Sequence, residues 1–224
     1  MMELDRSIHE PFALDGDPPV RGLLHRAAGS ADGIVLTHGA GSDARAPLLS
    51  ALARAFVAGG ITVLRCDLPF RQARPSGPPS PGGSERDRRG LAAAVAAMRA
   101  CGVKRCFVGG HSYGGRQASM LLAESPALAS GLLLLSYPLH PPAAPDRRRI
   151  EHLPALRVPT LFVHGDRDQF GTPDEMEAAR RLVPAPSALV ILERSAHALH
   201  ADAATANAIV TAFRRLVGER APPA

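Results

Sequence analysis

The sequence Gly110-His111-Ser112-Tyr113-Gly114 lies where an apolar stretch gives way to an amphipathic one. Residues 104–109 (KRCFVG) have the pattern of a short buried strand, and residues 115–124 (GRQASMLLAE) have the spacing of a helix. A G-x-S-x-G sequence between a strand and a helix is typical of a nucleophile elbow, a tight turn that exposes the serine hydroxyl. The sequence therefore predicts Ser112 as a nucleophile, with the N–H of Tyr113 directed at a developing oxyanion.

A serine nucleophile needs a base and an orienting acid, and two later loops offer both. The strand pattern at 158–164 (VPTLFVH) precedes a loop with Asp166 and Asp168, and the pattern at 188–192 (ALVIL) precedes a loop with His197. Open α/β sheets place their sites at the carboxyl ends of strands, where both loops are expected to lie. The order serine, acid, histidine is also the order of such hydrolases along the chain.

Imidazole titrates near neutrality, and His197 is the predicted general base because it directly follows a strand. His200 is a rival, only three residues later and predicted to lie within the last helix. His164 is a second rival, but it ends the preceding strand and is predicted to pack there or to bind a loop. Of the other histidines, His38 and His111 are expected either to shape the site or to pack within their loops.

Four motifs together resemble the α/β-hydrolase superfamily: H-G-A-G at 38–41, G-H-S-Y-G at 110–114, H-G-D-R-D at 164–168 and S-A-H at 195–197. More narrowly, H-G-A-G-S, D-L-P-F-R and H-G-D-R-D-Q-F-G resemble a small, lidless bacterial group labelled dienelactone-hydrolase-like. That group is similar to the hydrolase-like domain of an animal nonspecific-lethal chromatin complex subunit. Dienelactone hydrolases proper have a cysteine nucleophile, so Ser112 implies serine-hydrolase chemistry and gives no support to a dienelactone substrate.

The resemblance also implies roles for residues around the nucleophile. The family's H-G-x-x-D spacing selects Asp168 as the acid that orients His197, and Asp166 becomes a turn former that binds nearby backbone N–H groups. The family's geometry assigns the oxyanion hole to the N–H groups of Ala40 and Tyr113. A phosphate-binding role for the glycine-rich loop at 38–41 is disfavoured, because neither nucleotide-binding glycine motif is present.

Composition bounds the remaining function classes. The 224 residues carry a net charge of +5, but Lys104 is the only lysine and the arginines are scattered, with 4% aromatic residues. We therefore expect no nucleic-acid partner. Arg71 and Arg74 follow a predicted strand near the mouth of the site, where they would either favour an anionic substrate or remain solvated surface charges.

Neither a signal peptide nor a membrane span is recognisable, so we expect a cytoplasmic protein with no membrane partner. Cys66 and Cys106 lie in predicted strands and Cys101 follows a helix. Buried, reduced thiols are favoured over a disulfide, and the lack of a Cys-x-x-Cys pair argues against zinc. No metal or organic cofactor is implied.

Alternating strands and helices predict an α/β fold with a mostly parallel sheet covered by helices on both faces. Residues 1–224 are expected to form one domain with an N-terminal extension at 1–18. Capping boxes are predicted for Ser84 with Asp87 and for Thr172 with Glu175. The predicted strands lie near 20–26, 33–37, 61–66, 104–109, 131–136, 159–164 and 188–193, and the helices near 46–59, 85–100, 114–124, 173–183 and 201–217.

The connection at 137–158 is too short for a cap domain, so the pocket should be shallow and open. These expectations combine into a serine hydrolase that cleaves small-molecule esters or thioesters of a small acyl group through an acyl-enzyme. The alternative is a non-catalytic scaffold or interaction module that keeps the fold. Such scaffolds usually lose a member of the triad, and here all three residues are present.

Overall fold

The computed structural model describes residues 9–80 and 82–218. Within these ranges eight strands form one sheet in the order β1-β2-β4-β3-β5-β6-β7-β8. Strand β2 runs antiparallel to both of its neighbours, and every other adjacent pair is parallel. The predicted α/β fold with a mostly parallel sheet is confirmed. The strands are β1 (Glu10–Leu14), β2 (Val20–His25), β3 (Asp32–Thr37), β4 (Thr62–Cys66), β5 (Arg105–His111), β6 (Leu132–Leu135), β7 (Thr160–Gly165) and β8 (Ser187–Leu192).

Helices cover both faces of the sheet, and a separate hydrophobic core lies under each layer. On one face, Phe213 packs edge-on against Phe56 and Phe107 at ring distances of 5.8 and 5.3 Å. This core joins α1 and α6 to the sheet, and the other core joins α3, α4 and α5 to it. The helices are α1 (Pro47–Ala58), α2 (Pro69–Ala73), α3 (Ser84–Ala100), α4 (Tyr113–Glu124), α5 (Pro173–Arg180) and α6 (Ala203–Val217).

Two elements were not predicted from the sequence. Strand β1 lies at the edge of the sheet and is largely exposed, so it has little of the apolar alternation that indicates a strand. It falls within the predicted extension at 1–18, of which residues 1–8 lie outside the described ranges. Helix α2 has only five residues, too few to show a helical period.

The predicted helix starts had different outcomes. Thr172 and Glu175 form the predicted capping box, with the Glu175 N–H donating to Thr172 Oγ1 at 3.3 Å. The capping box of Ser84 and Asp87 is wrong, because Ser84 is already the first helical residue and Asp87 turns into the core. The expectation that His200 lies in the last helix is also wrong, since α6 begins at Ala203 behind an Asp202 cap.

The connection between β6 and β7 contains no cap domain, as predicted. Its only regular element in the described chain is a short 3-10 turn at Leu153–Ala155. Buried Tyr137, Leu139 and Leu156 hold the connection against the core. The carboxyl edge of the sheet, where the candidate residues gather, therefore carries loops and short helical turns but no cap domain.

No helix within residues 9–80 and 82–218 is long and apolar enough to cross a membrane.

The three cysteines are free thiols, and Cys66 and Cys106 are buried as expected, whereas Cys101 is exposed at the end of α3. Burial raises the pKa of each buried thiol to about 12, so neither is a reactive thiolate near neutrality.

Candidate active site

Ser112 lies in a strained turn between β5 and α4. Its backbone has φ 51° and ψ −116°, a conformation that residues other than glycine rarely adopt. Its N–H donates to the carbonyl oxygen of Leu135 at 2.8 Å, which ties the turn to the neighbouring strand. A Cβ at Gly110 would lie 2.6 Å from the backbone nitrogen of Gly115, and one at Gly114 would collide with the carbonyl oxygen of His38. Both glycines are therefore required by close backbone approach.

The structure brings Ser112, His197 and Asp168 into one hydrogen-bonded chain. Ser112 Oγ lies 2.8 Å from His197 Nε2, and His197 Nδ1 lies 2.8 and 3.0 Å from the two oxygens of Asp168. Because a carboxylate can only accept here, the neutral ring donates from Nδ1 to Asp168 and accepts the serine proton at Nε2. The Asp168 side chain is fully buried, whereas His197 keeps 22% of its side chain exposed.

The surroundings of Asp168 favour its ionised form. Burial alone raises the pKa of this carboxyl, but hydrogen bonds from His197 and from the Phe170 N–H, at 2.9 Å, outweigh it and leave the pKa below its ordinary value. His164 Nδ1 lies 3.7 Å from the same carboxylate, and its Nε2–H donates to the Gly171 carbonyl at 2.8 Å. His164 therefore packs and binds a loop, as its position at the strand end indicated.

Asp166 forms no hydrogen bond with His197, and instead it stabilises the loop that carries His197. Its Oδ1 accepts the Ser195 N–H at 3.0 Å, and hydrogen bonds from the Arg194 and Ser195 backbone hold its pKa below the ordinary value. This is the turn-forming geometry expected of Asp166. His200 is exposed, and its Nε2–H donates to the Arg194 carbonyl at 3.3 Å rather than approaching Ser112.

Two rings hold His197 in place. The Nε2–H of His111 donates to the His197 carbonyl at 2.8 Å, and burial lowers the pKa of His111 to about 4, so this ring stays neutral. The centres of the two imidazoles are 5.2 Å apart. On the other side, the Phe170 ring lies 4.2 Å from the His197 ring. Of the two roles expected for His111, the structure supports shaping the site.

The loop at 38–41 packs directly against the serine turn. A Cβ on Gly39 would lie 3.0 Å from His111 Nδ1 and 3.5 Å from Ser112 Cβ. Buried His38 holds the loop, since its Nδ1–H donates to the Gly39 carbonyl at 2.8 Å and its Nε2 accepts the Leu68 N–H at 3.1 Å. Burial lowers the pKa of His38, consistent with a neutral ring.

The two N–H groups predicted to hold an oxyanion belong to Ala40 in this loop and to Tyr113 at the first position of α4. In the part of the chain that the structure describes, neither group donates to a protein acceptor. A first-turn helical N–H has no partner within its own helix. Both donors are thus available to a bound carbonyl oxygen.

Arg71 fits neither of the two interpretations offered for the arginines at the mouth, whereas exposed Arg74 fits the solvated surface charge. Its side chain is buried, and it donates to the carbonyl oxygens of Ala40 at 2.7 Å, Ser42 at 2.9 Å and Gly77 at 3.0 Å. It is therefore neither a solvated charge nor a group presented to a ligand. Its hydrogen bonds stabilise the loop at 38–41 instead. Arg74 is exposed and donates to the Pro78 carbonyl at 2.7 Å.

Asp87, predicted to form a capping box with Ser84, contacts Tyr113 beside the serine turn instead. Its Oδ2 accepts the Tyr113 hydroxyl at 2.7 Å, and its Oδ1 accepts the Phe70 N–H at 3.0 Å. Burial raises the pKa of this carboxyl. A signal was present, because Asp87 lies three and four residues before Gly90 and Leu91, on the buried face of α3.

Comparison with known proteins agrees with the fold. A family model described as an alpha/beta hydrolase domain matches residues 30–216. The chain belongs to the α/β hydrolase domain family. This α/β hydrolase also resembles solved structures at low sequence identity, so they show its fold.

In residues 9–80 and 82–218 it has no group of three or more His, Cys, Asp or Glu placed to hold a metal ion.

Three of these structures cover almost the whole α/β hydrolase. A dienelactone hydrolase from Anabaena variabilis is 20% identical with a TM-score of 0.71, over 93% of this chain and 96% of that one. Est1E from Butyrivibrio proteoclasticus, with ferulic acid bound, is 15% identical with a TM-score of 0.77, over 92% and 99%. A serine hydrolase without a lid from Xanthomonas campestris is 18% identical with a TM-score of 0.71, over 99% and 100%.

Proposed function

We propose that this α/β hydrolase cleaves esters or thioesters of small acyl groups through a covalent acyl-enzyme. The hydrogen-bonded chain from Ser112 through His197 to Asp168 carries the proposal, with both links at 2.8 Å. A serine hydroxyl is a weak nucleophile until a base takes its proton, and this chain supplies that base together with an acid that orients it. Fold-level similarity to esterases and serine hydrolases is compatible with the proposal.

In the acylation half, Ser112 Oγ attacks the carbonyl carbon of the substrate while His197 Nε2 takes the serine proton. The carbonyl oxygen becomes an oxyanion and accepts hydrogen bonds from the N–H groups of Ala40 and Tyr113. Ionised Asp168 stabilises the imidazolium that forms. When the tetrahedral intermediate collapses, the bond to the leaving group breaks and His197 delivers its proton to the departing alcohol or thiol.

In the deacylation half, a water molecule attacks the acyl-enzyme carbonyl while His197 Nε2 takes one of its protons. The same two N–H groups receive the second oxyanion. Collapse breaks the bond between the acyl carbon and Ser112 Oγ, His197 returns the proton to the serine, and the free acid leaves. Because His197 remains partly exposed, water can reach it without any domain movement.

The short connection at 137–158 argues for small, water-soluble substrates, since it provides no cap to enclose a long acyl chain. Dienelactone is not proposed as the substrate, because serine replaces the cysteine of that enzyme class. The proposed location is the cytoplasm.

Fluorophosphonate labelling tests the nucleophile and separates an enzyme from a non-catalytic scaffold. We expect the wild type to be labelled at Ser112 and Ser112→Ala to lose the label. Ser50→Ala is the matched control, because Ser50 lies on α1, on the opposite face of the sheet from α4, and should leave labelling unchanged. A wild type that is not labelled, or an alanine variant that still is, would contradict the proposal.

A further inference from the structure

A cleft of about 430 Å³ lies between α4 and the connection that follows β6. We name it the arginine cleft, because most of its charged lining is guanidinium. It is separate from the hydrogen-bonded chain of Ser112, His197 and Asp168, none of which lines it. Its lining residues are Arg116, Pro141, Asp146, Arg147, Arg148, Arg149 and Glu151.

Positive charge exceeds negative charge in the arginine cleft. Four arginines face the two acids Asp146 and Glu151, leaving an excess of two positive charges. One further acid reaches in from outside, since Glu175 lies 3.6 Å from Arg148. Among the described residues Arg116 and Arg147 form no ion pair, and Arg116 Nε is buried without a hydrogen-bond partner.

The guanidinium groups also repel one another. The pKa of Arg149 is lowered by burial and by the charges of Arg116 and Arg147. Burial and the Arg116 charge likewise lower the pKa of His152, the residue after the cleft, to about 4. Like charges held close together repel one another unless an anion binds between them. This arrangement is therefore suited to a negatively charged ligand.

The position of the arginine cleft ties it to the nucleophile. Arg116 is one helical turn beyond Ser112 on α4, and its N–H donates to the Ser112 carbonyl at 3.0 Å. The connection that forms the other wall leaves β6, which pairs directly with β5. Arg116 therefore connects the lining of the cleft directly to the backbone of Ser112.

We propose that the arginine cleft binds an anionic group, carboxylate or phosphate, carried by the ester or thioester that Ser112 attacks. Guanidinium groups bind both anions through paired, charge-assisted hydrogen bonds, and the guanidinium groups of Arg116 and Arg147 have no ion-pair partner among the described residues. The inference rests on the proposed hydrolase function and narrows its substrates to those that bear a negative charge.

Matched substrates test the carboxylate and phosphate arms separately. For the carboxylate, mono-para-nitrophenyl glutarate is compared with para-nitrophenyl pentanoate, and for phosphate, butyryl-coenzyme A is compared with butyryl-pantetheine. The readout is the ratio of kcat/KM for the charged substrate to that for its neutral partner. We expect this ratio to exceed one in the wild type for at least one pair, and the responding pair identifies the anion.

Three variants assign the preference to the arginine cleft. Arg116→Gln and the double variant Arg147→Gln/Arg148→Gln should each lower the ratio by roughly tenfold, the usual effect of losing a charge-assisted hydrogen bond. Arg147 and Arg148 are exposed, so the double variant keeps the fold. Arg215→Gln removes the same charge from exposed α6, on the opposite face of the sheet, and should leave the ratio unchanged. Equal ratios in all four proteins would overturn the proposal.

Direct binding separates failure of the subsite from failure of the hydrolase. Glutarate and inorganic phosphate contain no scissile ester, so titration calorimetry with the wild type measures the cleft alone. Binding that is weakened by both cleft variants but not by Arg215→Gln supports the subsite even if neither ester is cleaved, in which case only the proposed hydrolase function fails. If neither anion binds, or all variants bind equally, the anion subsite is refuted whatever the esterase activity.

Discussion

Tyr113 donates a hydrogen bond of 2.7 Å from its hydroxyl to Oδ2 of Asp87, a carboxyl buried in α3. Tyr113 is also the residue whose N–H is proposed to hold the oxyanion. The side chain is further fixed by Phe70, whose ring lies edge-on at 5.5 Å and whose N–H binds the same carboxyl. The proposed oxyanion donor is thus positioned through a side chain that is bonded to α3 and packed against Phe70.

Removing the Tyr113 hydroxyl should lower turnover with little effect on substrate binding. The N–H remains in Tyr113→Phe, but its position is less constrained, so we expect kcat to fall about tenfold, less than the 10² to 10³ typical of losing a donor outright. KM should stay near the wild-type value. Tyr137→Phe is the control, because its hydroxyl binds the Arg149 carbonyl instead. Equal losses of kcat in both variants would refute the positioning role of Tyr113.

The buried Asp87 carboxyl should make stability depend on pH. Its pKa is raised by burial, so folding favours its protonated form. That contribution is fully present below the unfolded pKa of about 3.9 and is lost as pH rises through the raised folded value. The free energy of unfolding of the wild type, relative to Asp87→Asn, should therefore decrease as pH rises from 4. Urea unfolding at a series of pH values measures this, and a difference that grows with pH would contradict it.

The two aspartates of the β7 loop should differ sharply in their effect on catalysis. Asp168→Asn keeps the shape but no longer selects the productive tautomer of His197, so kcat should drop on the order of 10⁴-fold. Asp166→Asn weakens only the bonds to the Arg194 and Ser195 backbone and should cost far less. Steady-state kinetics on one activated ester compare them, and the reverse ranking would reject Asp168 as the orienting acid.

Arg71 should stabilise the loop at 38–41 rather than bind a charged substrate. Arg71→Ala leaves four carbonyls without their donor and should lower the free energy of unfolding by about 1.5–3 kcal/mol, together with kcat. Arg74→Ala removes an equal but exposed charge and should change either quantity little. Chemical unfolding and kinetics on neutral and anionic esters measure both effects. A loss confined to anionic esters would show instead that Arg71 contacts substrate.

Local patterns were enough to predict the fold and two residues of the hydrogen-bonded chain, Ser112 and His197. Ser112, Asp168 and His197 each follow a strand of the parallel sheet, and parallel neighbours bring such positions to one edge. The glycines around Ser112 indicate a tight backbone turn, and this pattern can be recognised without knowing any distant contacts. The choice between Asp168 and Asp166 needed a family spacing, since both lie in the same loop.

The supporting residues could not be predicted because their roles depend on tertiary contacts. Asp87 has the spacing of a capping residue, and only the packing of α3 against α4 reveals its bond to Tyr113. Arg71 is one of many arginines. Nothing in the local sequence distinguishes a buried arginine that binds carbonyl oxygens from an arginine exposed to solvent. The arginine cleft arises likewise because folding brings Arg116 to residues that follow it by about thirty positions.

The groups that support the proposed oxyanion donors and the connection that lines the arginine cleft come from opposite sides of β5. Arg71 and Asp87 come from the chain after β4, on one side of β5, while the connection at 137–158 leaves β6 on the other side. Substitutions at exposed positions of that connection, such as Arg147 and Arg148, should therefore change which molecules bind while leaving the hydrogen bonds of Arg71 and Asp87 in place. Such a separation allows substrate range to diverge among related proteins, or under laboratory selection, while the reaction itself is preserved.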